Sequence, residues 1–359
     1  MAVTRAQVAA HAGVSPAVVS YVVNGGPRPV SARTRTRLRV EAAIAELDYR
    51  PNRIAAALRA ATTHSIGLLT PSPTNPFFAE LSATLMREFS ARGKSLSVAV
   101  TDEDSDLELL HLRSFLDRQV DGVILTSAGS VVAMEELGPH SVPVLVVDRV
   151  GTMEVPAFSR LHVENTHGAR LATEHLQQHG HEIIGCIAGP PTEKLVAERI
   201  QGWRQQQDGR DDDFDSLVEH GDFSAAGGHG AAHALLGPGS RRRASGRPAP
   251  TALFVTSDVQ AFGVLLACQE LGLRVPQDVA IVSFDGTELA RFANPPLTSV
   301  RQPIEEIARV ATEVLLARIA DPALEPAHQT FKGTLVIGRS CGCDDRAEPA
   351  PDGLPAEHR

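Results

Sequence analysis

The chain has 359 residues and a formal net charge of −9, long enough for two or three domains around a well-buried core. No run approaches the ~20 uninterrupted apolar residues that a bilayer span needs. No basic start, apolar block and cleavage site mark a secretory signal, so a cytoplasmic protein without a membrane partner is expected. The charge is uneven. Residues 1–63 hold nine arginines, no lysine and three acids, a net of +6 that leaves −15 for the rest. A basic head on an acidic body suits contact with a polyanion, although a solvated arginine face on a small helical domain would show the same balance.

In chain order, residues 4–12 place Val8, Ala9 and Ala12 at helical spacing, and Gly13 supplies a turn. Ser15 is a good N-cap and Pro16 sits at the first helical position, where its missing N–H costs nothing. Val18, Val19, Val22 and Val23 form the apolar stripe of a second helix, closed by Asn24-Gly25-Gly26-Pro27. A third helix is expected from near Ser31, with Val40, Ile44 and Leu47 on one face. This is a helix-turn-helix layout. The outer face of the second helix carries Ser15, Ala17, Ser20, Tyr21 and Asn24, short and nearly uncharged. Such a face can approach base edges in a major groove, with arginines such as Arg28, Arg33, Arg35 and Arg37 on phosphates. The alternative is a small helical bundle that binds nothing.

Asn52 can cap a short alanine-rich helix through Leu58, too short to be stable alone in water. From Ile66 onward, apolar runs of strand length alternate with helices: SIGLLTP, SLSVAVT, VDGVILTS, VPVLVVD, IIGCIAG, TALFVTS and VAIVSFDG. Helices are expected at Phe78–Arg92, Leu107–Gln119, Gly168–Gln178, Val259–Leu271 and Ile304–Ile319. Continuous Val/Ile/Leu strands with intervening helices predict parallel sheets covered on both faces, and seven such strands fit two doubly wound lobes better than one sheet. Leu235–Pro250 is rich in Gly, Pro, Ser and Arg and reads as a mobile surface loop. Its Arg241–Arg243 triplet is either solvated or a second nucleic-acid contact.

Three features bear on chemistry. No G-x-G-x-x-G follows the first strand and no P-loop occurs, so neither a cofactor nor an enzyme is expected. His175 and His179 lie one helical turn apart without an acid between them in zinc-protease order, and read as helix-surface histidines. Cys341 and Cys343 are too close for an ordinary disulfide and make only half a zinc site, so no metal is expected.

The strings AGVSPAVVSYVVNG, LDYRPNRIAAALR, SIGLLTPSPTNPFFAEL, RQVDGVIL, GARLATEHLQQHGH, GLRVPQDVAIVSFDGTELARFANPPLTSVRQP and GRSC, in this order, resemble the lac-repressor-like (LacI/GalR) family of bacterial transcription regulators. The resemblance implies an α/β fold: an N-terminal all-α helix-turn-helix headpiece plus two Rossmann-like, doubly wound lobes of periplasmic-binding-protein type. The headpiece would occupy residues 1–50 and a hinge helix 51–63. A two-lobed effector-binding and dimerisation domain would occupy 64–341, its N-lobe about 64–164 and 296–325 and its C-lobe about 165–295 and 326–341. Residues 342–359 would be a disordered tail.

The resemblance further implies a homodimeric repressor on a palindromic double-stranded DNA operator, controlled by a small, sugar-like effector. Other members sense purines, nucleosides or a partner protein. The alternative is a solute-binding protein of periplasmic type without a DNA role. DNA contacts would come from Ser15, Pro16, Ala17, Ser20, Tyr21, Asn24, Arg28 and Arg35. In the hinge they would come from Asn52, Arg53, Ala55 and Leu58, with Leu58 wedged into a base step or else stapling the linker to the body. Tyr21 stands where many members have arginine, which changes the base it can read. Residues following strand ends give the effector candidates Asn75, Phe77, Phe78, Asp148, Arg149, Glu164, Phe223, Ser257, Asp258 and Asp285, and the resemblance places the family's effector-binding arginine at Arg199, four residues before Trp203. Phe78 could instead be core, Asp258 a helix cap and Asp148 a loop anchor.

Overall fold

The computed structural model describes residues 3–24, 34–50, 62–126, 142–148, 158–207 and 214–343, which fall into two compact units divided between Thr63 and His64. The expected hinge helix and all of the expected tail beyond Cys343 lie outside the described residues. The first unit is helical: α1 (Arg5–Ala12), α2 (Pro16–Asn24) and α3 (Thr34–Glu46). A reciprocal capping box starts α1, with Gln7 N–H donating to Thr4 Oγ1 and Thr4 N–H to Gln7 Oε1. Gly13 ends it in the left-handed conformation, φ +62°. Val8, Ala9, Ala12, Val19, Val40, Ala43 and Tyr49 form the buried core, flanked by Val18, Val22, Val23, Ile44 and Leu47. Because α2 turns its valines inward, its outer face is left with the short residues.

The second unit has the expected α/β architecture. One sheet contains β1 (Ser65–Thr70), β2 (Ser95–Val100), β3 (Gly122–Leu125), β4 (Val144–Val147), β5 (Ser159–Val163) and β11 (His328–Phe331), in the order β11-β5-β4-β3-β1-β2 and wholly parallel. The other contains β6 (Ile184–Ala188), β7 (Val218–His220), β8 (Ala252–Val255), β9 (Ala280–Asp285), β10 (Thr298–Arg301) and β12 (Thr334–Val336), in the order β12-β10-β9-β8-β6-β7, with β12 antiparallel. Strands β1, β3, β4, β6, β8 and β9 are fully or almost fully buried along their length, as continuous Val/Ile/Leu runs require. Helices α4 (Pro76–Ala91), α5 (Ser105–Asp117), α6 (Asn165–Gln178), α7 (Lys194–Gln205), α8 (Ala225–Leu236), α9 (Arg241–Ala244), α10 (Asp258–Glu270) and α11 (Ile304–Ala320) cover them.

The chain passes between lobes between β5 and α6, between β10 and α11, and between β11 and β12. Strand β10 therefore lies in the second lobe and β11 in the first, so the later two crossings fall after Arg301 and Phe331 rather than at 296 and 326. Leu235–Pro250 also differs from expectation. Ser240 caps α9, and Arg242 is buried, donating to Pro248 O at 2.9 Å and Ser216 Oγ at 3.0 Å. Arg241 pairs with Glu219 at 2.7 Å. The triplet anchors a turn, so a nucleic-acid contact through Arg242 is excluded by its burial.

Helices α8 and α10 cross closely enough that a Cβ on Gly263 would strike the backbone oxygen of Ala225, whereas one on Gly230 would meet open space. Gly263→Ala is therefore expected to lower stability by about 1–3 kcal/mol. Gly230→Ala should raise it by about 0.5–1 kcal/mol. Thermal unfolding of the two variants beside the parent checks the pair.

Candidate nucleic-acid interface and effector cavity

In the head, Ser15, Pro16 and Ala17 are exposed at the start of α2, and Ser20 and Tyr21 are half-buried one turn on. The Ser15 carbonyl accepts from Val18 and Val19, so Ser15 occupies the N-cap position. The helix thus presents its first turn outward with small side chains, the geometry that lets backbone approach a groove. Arg35 is exposed on α3, while Arg37 is held by Glu41 at 2.7 Å. Arg39 folds back to donate to the carbonyls of Ala12 and Gly13, tying α3 to the end of α1. Helix α3 is described from Thr34. The Asn24 side chain, Arg28, Arg33, Asn52, Arg53, Ala55 and Leu58 lie outside the described residues.

In the two-lobed unit, a narrow cavity opens where the carboxyl ends of both sheets face each other, lined by Asn75, Phe77, Phe78, Asp148, Arg199 and Phe223, together with Leu195, Ser257 and Asp285. Most of them lie at or just after strand ends, as in other open α/β sheets, while Leu195 and Arg199 come from α7. Asn75 N-caps α4, its Oδ1 accepting from Phe77 N–H at 3.0 Å, and Pro76 at the first position fixes the turn. Phe77 and Phe78 stand edge to face, their centroids 5.1 Å apart, and both are buried. Asp148 projects from a left-handed turn after β4, φ +69°. Arg149 lies outside the described residues.

Arg199 is only 2% exposed, and its guanidinium is held on several sides. Nε donates to Asn165 Oδ1 at 2.9 Å and Nη1 to Thr256 O at 2.5 Å. The group stacks 3.7 Å from the centroid of Phe284, and Asp285 Oδ1 lies 3.7 Å from Nη1. Asn165 is itself fixed by donating to Glu198 at 2.9 Å. Asp285 adopts φ +111°, a region that side chains rarely occupy, and accepts from Gln302 Nε2 at 2.9 Å. Burial pushes its carboxyl well above the ordinary carboxylate range. Arg199 works against that push, and Asp258 and Asp148 add to it.

Two expected effector residues face elsewhere. Asp258 is fully buried behind the cavity. Its carboxylate accepts from Ser283 Oγ at 2.5 Å, Ser299 Oγ at 2.7 Å and both the N–H and hydroxyl of Thr287 at 2.7 and 2.9 Å. It locks β9 and β10 to α10, and the cap of that helix is Ser257. Glu164 precedes α6 outside the cavity and lies 4.0 Å from Lys332 Nζ. Conversely, Leu195 and the supports Asn165 and Gln302 are not singled out by sequence. The N-cap spacing before α6 could have pointed to Asn165, but only the fold brings it to Arg199. A second groove, along Pro191, Ile200, Gln201, Arg204 and His220, contains none of the candidates.

Buried carboxylates accept hydroxyls, a guanidinium donates in a fork, and phenyl rings cover C–H faces. Comparison with known proteins agrees with this two-part design. Residues 6–52 match the bacterial regulatory proteins of the lacI family, and residues 173–341 match a periplasmic binding protein-like domain. The chain is 34% identical over 326 residues to the ribose operon repressor of Escherichia coli (strain K12), covering 90% of this chain and 94% of that one. It resembles the lac repressor dimer bound to operator and the anti-inducer ONPF, with TM-score 0.79, 28% identity and 95% and 99% of the two chains covered. A complex of the transcriptional regulator CelR with cellobiose matches with TM-score 0.69 and 31% identity, over 94% of this chain and 99% of that one. The alternative of a solute-binding protein leaves the matched head unexplained. The chain belongs to the LacI family of bacterial DNA-binding regulatory proteins.

Proposed function

We propose that this protein is a cytoplasmic homodimeric repressor that grips a palindromic operator and releases or tightens it on binding a small polyhydroxy metabolite of the sugar class. The observation carrying this reading is the cavity in which Asn75, Asp148, Arg199 and Asp285 meet Phe77, Phe78 and Phe223. The relative named for the ribose operon favours a monosaccharide effector. The protein acts by binding rather than catalysis. Among the described residues no single helix is long and apolar enough to cross a membrane.

DNA would be read by Ser15, Pro16, Ala17, Ser20, Tyr21 and Asn24 in the major groove, with Arg28 and Arg35 on phosphates. Asn52, Arg53, Ala55 and Leu58 would enter the minor groove. Tyrosine cannot fork onto guanine as arginine does, so Tyr21 would contact a thymine methyl with its ring and one polar atom with its hydroxyl. Effector and operator must change each other's affinity by the same factor, whichever sign the coupling has.

Calorimetric titration with pentoses, hexoses and disaccharides should detect a monosaccharide. Arg199→Ala should weaken it about 10–100-fold, the worth of charge-assisted hydrogen bonds, while operator affinity without effector persists. Arg199→Lys, which keeps the charge but not the fork, guards against misreading a folding defect. Undiminished effector binding in both variants rejects the cavity as the site. Operator binding should fall steeply with salt, and Arg35→Ala should shallow the logarithmic slope by about one for each phosphate no longer neutralised. An unchanged slope removes Arg35 from the interface. Leu58→Ala should weaken binding to the selected operator more than to random duplex, and equal weakening rejects the wedge.

A further inference from the structure

Two pairs of side chains that are separated by more than 160 residues meet on the second lobe, away from the effector cavity. His175 sits in the last turn of α6, and His179 caps that helix one turn on, their rings 4.7 Å apart. Cys341 and Cys343 follow β12. The four potential ligand atoms all lie within 4.8 Å of one another. Cys343 Sγ is 3.2 Å from His179 Nε2 and 3.7 Å from His175 Nε2. A tetrahedral ion with bonds of about 2.3 Å to sulfur and 2.0–2.1 Å to nitrogen requires ligand–ligand separations of about 3.3–3.8 Å. Of these two sulfur–nitrogen distances, 3.7 Å lies within that range and 3.2 Å just below it.

The surroundings hold the thiols in place. The backbone and side chain of Ser340 are built into the sheet: Ile281 N–H donates to Ser340 O at 2.7 Å, Thr298 N–H donates to Ser340 Oγ at 2.9 Å, and Oγ donates to Ile281 O at 2.6 Å. Cys341 is thereby fixed and buried. Gly342 takes φ +93°, a turn that a side chain would strain, and so lets Cys341 and Cys343 point at one place. Thr298 Oγ1 accepts from Gly338 N–H at 2.9 Å, which leaves its proton to donate to Cys341 Sγ, also at 2.9 Å. Such an outer hydrogen bond is what a metal-bound thiolate uses. His179 is exposed and gives an ion its way in.

We propose that His175, His179, Cys341 and Cys343 form a Cys₂His₂ site for one tetrahedral thiophilic divalent cation, with Zn²⁺ the fitting ion. Two thiols, no carboxylate and a complete set of four protein ligands describe a closed structural site rather than a catalytic one. On binding, each thiol releases its proton to solvent, and two thiolates with two neutral imidazoles balance the doubly charged ion. The ion staples the end of the described chain to α6, and so fixes the edge of the second sheet.

The test uses full-length protein, purified reduced and stripped by chelator dialysis, titrated with Co²⁺ and then Zn²⁺. One equivalent of Co²⁺ should produce thiolate-to-cobalt charge-transfer absorption with intense tetrahedral visible bands, and Zn²⁺ should abolish both. Cys343→Ser should remove most of the charge-transfer intensity. Cys343→Ser and His179→Ala should each weaken Zn²⁺ by at least about 100-fold, since changes to outer-shell partners alone cost 10–100-fold. Both residues are at least partly accessible, so neither variant empties the core. Absence of a charge-transfer band in the parent overturns the proposal, as does a band undiminished in Cys343→Ser. The surface cluster His229, His233 and Glu270 stays intact in every variant and has no thiol, so an ion taken there gives no such band and counts against the proposal.

Discussion

The effector cavity depends on keeping the guanidinium of Arg199 charged in a place almost without water. A buried cation is costly unless its donors are satisfied and a counter-charge lies near. Here the amide of Asn165, the carbonyl of Thr256, the face of Phe284 and the carboxyl of Asp285 share that task. They come from α6, the end of β8 and the end of β9, so the requirements of one side chain fix three elements of the second lobe relative to α7. Asp285 is compromised in turn: it is buried near Asp148 and Asp258, and its carboxyl resists ionisation unless a partner favours the anion. A hydroxylated ligand can donate to Asp285 and accept from Arg199 at once. The cavity is polar where charge must be met and phenyl-lined elsewhere, a division that suits a polyol.

The head is built under a different constraint. Its core is made mainly of valines and alanines, so three short helices can pack closely and leave α2 with almost no bulk on its outer side. Arg39 bridges α3 to the end of α1 through backbone carbonyls and is therefore structural despite its charge. Among the described residues Arg35 makes no such bond and is exposed. Charge count alone could not separate these two arginines. The separation comes from the Gly13 turn, whose carbonyls point at Arg39.

Legibility in the sequence tracked local regularity. The seven expected strands are parallel strands whose Val/Ile/Leu content leaves little ambiguity, and their ends located the cavity. Strand β5 escapes such a reading because Ser159–Val163 alternates in burial and resembles a loop before a helix. Strands β7, β11 and β12 are short, and the last two acquire meaning only by joining sheets formed elsewhere in the chain. The Arg241–Arg243 run misled because composition says nothing about a single arginine turning under a capped helical turn. Asp258 misled for a related reason. A residue after a strand end is a good site candidate, but at a helix start successive side chains diverge, so Ser257 lines the cavity while Asp258 turns into the core. The histidine and cysteine pairs show the limit most clearly: each is uninformative alone, and only the antiparallel addition of β12 beside β10 carries the cysteines to α6.

The three chain crossings also explain how a small ligand could govern the relation between lobes. Each sheet is completed by strands from before and after a crossing, yet the lobes themselves share no strand, so they are joined by three connecting segments. One contact between them joins Glu288 N–H, after β9, to Glu80 Oε1 on α4 at 2.8 Å. Burial raises the Glu80 carboxyl above its usual value, and the bond from Glu288 N–H works against that rise. A ligand bridging Asn75 and Phe77 of one lobe to Arg199 and Asp285 of the other would shift the relation between the lobes by its differential affinity for their arrangements. The separation of roles is physical: the sheets hold each half of the site to its own geometry, and three connecting segments join the halves.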